Sequence, residues 1–102
     1  MIKPKTNTQP KKILHLTLFK KWFDEIKSGK KKFEYREIKP YWTKRLFEEN
    51  EKGNSKPKHY DFILFRNGYA KNAPKMLVKF LGVKIDKKNK RYVVGVGKEF
   101  KE

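Results

Sequence analysis

The last forty-three residues constrain the fold most. They contain three extended runs: "YDFILFRNGY" (residues 60–69), "KMLVKFLGVKID" (75–86) and "RYVVGVGKEF" (91–100). The first ends in the turn pair Asn67-Gly68, Pro74 bars the second from starting any earlier, and the polar stretch from Asp86 to Lys90 separates the second from the third. Consecutive strands joined by connections this short build an antiparallel or barrel-like sheet, not a doubly wound one with a helix between each pair. Gly95 and Gly97 in the last run permit a bend or a close approach of another strand.

The residues before this sheet alternate between the two periodicities. "ILHLTL" (13–18) is a short β-tolerant apolar run, with His15 as an ordinary strand residue. Phe19, Trp22, Phe23 and Ile26 then fall at i, i+3, i+4 and i+7, which predicts an amphipathic helix with this stripe as its core face. Gly29 stands where a left-handed cap residue ends a helix. Residues 31–37 alternate as a strand, with Phe33 and Tyr35 on one face and Glu34 and Arg36 on the other. Pro40 suits the first turn of a second helix over residues 40–50, where Trp42 and Leu46 face the core and Tyr41 does not. Residues 50–58 read as a polar loop. The expected order is β-α-β-α-β-β-β, an α+β chain of one domain.

Charge limits the function. The 102 residues carry 28 Lys plus Arg against 11 Asp plus Glu, a formal net charge of +17. Self-repulsion of that size favours an anionic partner. Phe, Trp and Tyr make up 15% of the chain, which suits a partner with bases to stack on. There is no long basic amphipathic helix and no apolar run near the length of a membrane span, so a membrane partner is not expected. There is no cysteine, and the only histidines are His15 and His59, so no disulfide, metal or cofactor is expected. Residues 1–12 hold four lysines, two prolines and no acid. They read as a disordered basic arm without the apolar core of a signal peptide, ahead of a domain over 13–102. A cytoplasmic protein is expected, and the residues set no oligomeric state.

Within "SGKKKFEYRE", the residues Gly29, Lys31, Glu34 and Arg36 spell G-x-K-x-x-E-x-R after a helix and into a strand. This motif, together with "REIKPYW" and "FRNGY" in the same order, resembles the ASCH domain, and the likeness spans most of residues 14–83. The family is a set of small β-barrels related to the PUA modules that bind RNA. The resemblance implies a PUA-like small β-barrel with two flanking helices and the motif lining a cleft. It also implies RNA or a nucleotide as partner.

The side chains themselves fit a binding role. Glu34 and Arg36 share a strand face and can pair, which fixes the carboxylate as an acceptor for a base amino group, while Arg36 suits a phosphate or carbonyl. Strict alternation puts Lys31 on the opposite face, so it must act from the twisted start of the strand. Lys30, Lys32, Lys39, Tyr41, Lys44, Arg45, Arg66, Asn67 and Tyr69 are the candidate nucleic-acid-binding residues. The alternative is a small hydrolase acting on RNA or a modified nucleoside, with Lys31, Glu34 and Arg36 as its catalytic residues. Some ASCH proteins are amidohydrolases of acylated cytidine, in which a lysine activates a threonine. Lys31 matches that lysine, but Glu34 occupies the threonine position, leaving Thr17 and Thr43 as substitutes. For RNA cleavage, Lys31 with Tyr35 or Tyr41 would serve as acid and base. The residues leave catalysis open. A basic protein that binds an acidic protein is a third reading, supported by charge alone.

Overall fold

The computed structural model describes residues 11–101. Among them the elements run β1 (Ile13–Leu18), α1 (Lys20–Lys27), β2 (Phe33–Glu37), α2 (Pro40–Leu46), β3 (Phe47–Glu49), β4 (Ser55–Pro57), β5 (Phe62–Asn67), β6 (Lys75–Asp86) and β7 (Arg91–Glu99). The three closing strands form the expected antiparallel meander. To it β2 adds antiparallel against β7, and β1 adds parallel against β5. The result is an α+β fold in which a five-stranded sheet, ordered β1-β5-β6-β7-β2, curls into a half-barrel with two helices.

Period-2 patterning explains the core. Leu14, Leu16 and Leu18 of β1 are buried, as are Ile63 and Phe65 of β5 and Tyr92, Val94 and Val96 of β7. Phe23 and Ile26 lay α1 onto this surface beside β1 and β5, and Leu46 closes it from α2. The twelve-residue β6 cannot stay flat while pairing on both edges. It breaks register against β7 between Phe80 and Val83, and Gly82 sits in that break with φ +108°, a conformation that costs glycine little. The two strands also run unusually close: a Cβ built on Gly95 would lie 3.0 Å from the Leu81 Cβ. Of the two roles expected for Gly95, close approach is the one it serves.

Four expectations need correction. The stripe on α1 is only half core: Phe23 and Ile26 are buried, but Phe19 is 80% and Trp22 37% exposed. Phe19 is the residue before the helix, in extended conformation, and Trp22 lines a cleft beside it. The second helix ends at Leu46 and not near residue 50, because Phe47 turns extended (φ −134°, ψ 154°) and packs its ring 5.2 Å from that of Tyr92. The expected polar loop therefore contains a strand, β4, which pairs with β3 in a separate two-stranded sheet. The strand expected from Lys31 begins at Phe33, and that shift matters for the site.

The first strand is anchored one residue ahead of its start. The Lys12 N–H donates to Asp61 Oδ2 at 2.9 Å, and the Lys12 carbonyl accepts from the N–H groups of Asp61 and Phe62 at 2.8 and 3.3 Å. The basic arm expected over residues 1–12 falls, for residues 1–10, outside the described part of the chain. Among the described residues, no helix is long and apolar enough to cross a membrane.

Candidate functional site

The strand order leaves β1 and β2 as the two edges of the half-barrel. Arg36 links them. Its Nη2 donates to the Thr17 carbonyl on β1 at 3.1 Å. Its Nη1 donates to the Tyr35 carbonyl at 2.7 Å and to the Glu34 carboxylate. Three of the five guanidinium N–H groups are thus committed to positioning, which leaves two. The half-barrel is drawn together here by a side chain and not by a ladder.

Glu34 is the one charged residue that is buried among those described, at 6% exposure. It lies opposite Val94, itself fully buried. A carboxylate in such a place requires partners. One of its oxygens meets Arg36, and the other lies 3.5 Å from the Lys31 ammonium. The expected conflict over Lys31 is resolved by where β2 starts. Lys31 precedes the strand, so alternation does not govern it, and its N–H donates at 3.1 Å to the Glu25 carbonyl, tying the loop back onto α1. The ammonium then sits 4.8 Å from the ring centres of both Trp22 and Tyr35, between two aromatic faces.

Glu34, Arg36 and Tyr35 open into a cleft of about 580 Å³. Its walls are His15, Thr17 and Leu18 of β1, Phe19 and Trp22 at the start of α1, Glu37, Tyr41 and Trp42 around the start of α2, and Tyr69 from the loop after β5. The size suits a nucleobase with its sugar. The aromatic groups are fixed by their neighbours: Arg36 lies over the Trp42 ring at 5.1 Å, Arg45 over Tyr41 at 3.5 Å, and Tyr41 meets Trp42 edge-on at 4.8 Å. Tyr69 is 87% exposed and stands at the mouth.

The other anticipated residues are placed as follows. Arg66 donates to the Ala70 carbonyl at 2.7 Å and holds the loop that presents Tyr69. The Asn67 N–H donates to the Pro74 carbonyl at the base of the same loop. Arg45 supports Tyr41 from outside the cleft wall, and Lys39 pairs with the rim residue Glu37 at 3.0 Å. Lys30 is exposed in the loop before β2. Lys32 points away, into an apolar groove on the other face of β2 with Phe33, Leu81, Val83 and Val93. Lys44 lies in a separate depression with Thr43, Phe47 and Lys58. Thr43 shares a 2.5 Å hydrogen bond with the Tyr92 hydroxyl and is not in the cleft.

Sequence reasoning missed His15 and Trp22 as site residues, had Thr17 only as a substitute nucleophile, and missed the double role of Trp42, which packs against the core and also lines the cleft. For His15 and Thr17 a signal existed: they alternate with the buried leucines of β1 and so face away from the core. Trp22 gave none, because an amphipathic stripe does not say which of its members meets the core and which meets a cleft. Among the described residues, no three His, Cys, Asp or Glu side chains converge to hold a metal. Comparison of the chain with family models, with curated proteins and with solved structures finds no match in any of the three.

Proposed function

We propose that this chain is an ASCH-type protein of PUA-like fold that binds RNA or a nucleotide in the cytoplasm, taking one unpaired base into the cleft beside Glu34. The observation that carries this reading is the buried Glu34 carboxylate, held between Lys31 and Arg36 at an opening walled by Trp22, Tyr35, Tyr41 and Trp42. A fixed carboxylate accepts from an exocyclic amino group or ring N–H, the uncommitted Arg36 donors take a carbonyl or phosphate, and aromatic faces stack the base. The net charge supplies affinity by counterion release.

Both tryptophans of the chain line the cleft, so intrinsic fluorescence reports its occupancy directly. Titration with mononucleotides and single-stranded RNA is expected to quench it. Lys31→Ala and Glu34→Gln each weaken binding by about 1.5–3 kcal/mol, the usual effect of losing a charged hydrogen bond. Absence of quenching by every base, at low salt, would sink the proposal. The hydrolase alternative keeps one observation in its favour, Thr17 in the cleft wall. Against it, the Lys31 ammonium is engaged by Glu34. Turnover of RNA or an acylated nucleoside by the wild type, lost in Lys31→Ala while binding persists, would establish that alternative instead.

A further inference from the structure

The turn between β6 and β7 carries a concentration of charge that the cleft does not use. From Asp86 to Arg91 the residues are Asp-Lys-Lys-Asn-Lys-Arg, four cations against one acid. Lys87, Lys88 and Lys90 are all exposed. Among the described residues, none of these three lysines has a carboxylate within 4.0 Å, whereas Lys20, Lys27, Lys39 and Lys56 are all ion-paired. The β3–β4 hairpin is different: residues 48–58 balance three lysines against three glutamates.

The turn is also built and aimed. The Asp86 carboxylate accepts from the Asn89 side-chain amide at 2.9 Å and from Arg91 Nε at 3.1 Å. That hold directs the Arg91 guanidinium to 3.9 Å above the ring of Tyr35, a cleft residue. In the ladder Arg91 lies opposite Glu37, on the cleft rim. Lys90 has φ +54°, a left-handed conformation that glycine or asparagine adopts more cheaply than lysine. A long cation therefore stands at the one position of the turn where backbone preference argues against it.

We propose that this turn is a phosphate-binding rail: Lys87, Lys88, Lys90 and Arg91 take the phosphodiester backbone of the nucleotides flanking the base held in the cleft. The inference rests on the RNA reading above. It makes the ligand a single strand of several nucleotides, since none of the three lysines lines the cleft. Such contacts act through charge and are insensitive to sequence.

The test compares two triple variants of equal charge change, Lys87→Ala/Lys88→Ala/Lys90→Ala in the turn and Lys52→Ala/Lys56→Ala/Lys58→Ala on the β3–β4 hairpin. The probes are a single-stranded twelve-nucleotide RNA and mononucleotides, titrated across a salt series. The turn variant is expected to bind the RNA at least tenfold more weakly at low salt. Its log–log salt slope should be shallower by about 2, roughly 0.7 for each lysine removed. Its mononucleotide binding should match wild type, and the hairpin variant should bind RNA within about twofold of wild type, since its three lysines are balanced by three glutamates and leave little net field. Equal losses in both variants, or an unchanged slope in the turn variant, overturn the rail while leaving the cleft reading standing. RNA binding that depends on the turn, with no mononucleotide binding by any form, upholds phosphate binding by the turn and overturns its coupling to a base in the cleft. No RNA binding by wild type overturns both.

Discussion

At the scale of single residues, Arg36 has two functions that are separable by mutation. It neutralises a buried carboxylate and it spans the two edge strands. Arg36→Ala leaves Glu34 with Lys31 alone and removes the link from β2 to the Thr17 carbonyl. Removing one partner of a buried pair costs about 3 kcal/mol or more, and for a domain of this length each kcal/mol lowers the melting temperature by about 4–8 °C. Arg36→Lys restores the charge but not the fork, so it should recover only part of the loss. A melting temperature within about 2 °C of wild type for Arg36→Ala would show that the edges do not need the link. Glu34 and Arg36 were legible in the sequence as a pair, because i, i+2 spacing puts both on one strand face, whereas Lys31 joins them from the loop before β2, where alternation does not govern it. Trp22 was not legible as a site residue, and Thr17 was legible only as a β1 residue facing away from the core.

At the scale of elements, β6 and β7 depend on glycine. A methyl group at Gly95 meets the Leu81 Cβ at 3.0 Å, and that atom cannot swing away as the tip of a flexible chain does. Gly95→Ala should therefore destabilise the protein by about 1–3 kcal/mol, as overpacking does. Urea denaturation measures the loss, and no change in the midpoint would mean that the strands separate freely. Acid sensitivity arises at strand ends. The Lys12 backbone N–H holds the Asp61 carboxyl below its usual value of 3.8, and the Asn89 amide does the same for Asp86. A carboxyl depressed in the folded state adds stability that is fully present above the unfolded value and disappears as pH falls through the lower folded one. The double variant Asp61→Asn/Asp86→Asn should thus melt below wild type at pH 6, with the gap closing by pH 2. A gap that stays constant across that range would refute this origin.

At the scale of the whole molecule, a net charge of +17 acts on folding and on binding in opposite senses. Added salt screens self-repulsion, with a Debye length of about 10 Å at 0.1 M, so the melting temperature of the free protein should rise between low and moderate salt. Over the same range, affinity for single-stranded RNA should fall, with a log–log slope of roughly 0.7 for each phosphate neutralised. Calorimetry and binding titrations on one salt series test both. A flat binding curve is incompatible with an interface of phosphate contacts, whatever the stability does.

The sequence by itself determined what short-range physics encodes. Turn pairs and alternating apolar runs specified the closing meander and its α+β class, the position of Pro40 specified where the second helix begins, and the G-x-K-x-x-E-x-R spacing specified which charges would meet. The tertiary structure alone decided the rest. Phe47 abandoned the second helix because Tyr92, distant in sequence, offered its ring a packing partner. Trp22 left the core to line the cleft, with the Lys31 ammonium 4.8 Å from its ring centre. The cleft itself exists because β1 pairs in parallel with β5 and β2 pairs with β7, which makes them the two edges of the sheet, and Arg36 donates from one to the other. Strand order is a property of contacts between residues far apart in the chain, and no local pattern of residue types carries that information.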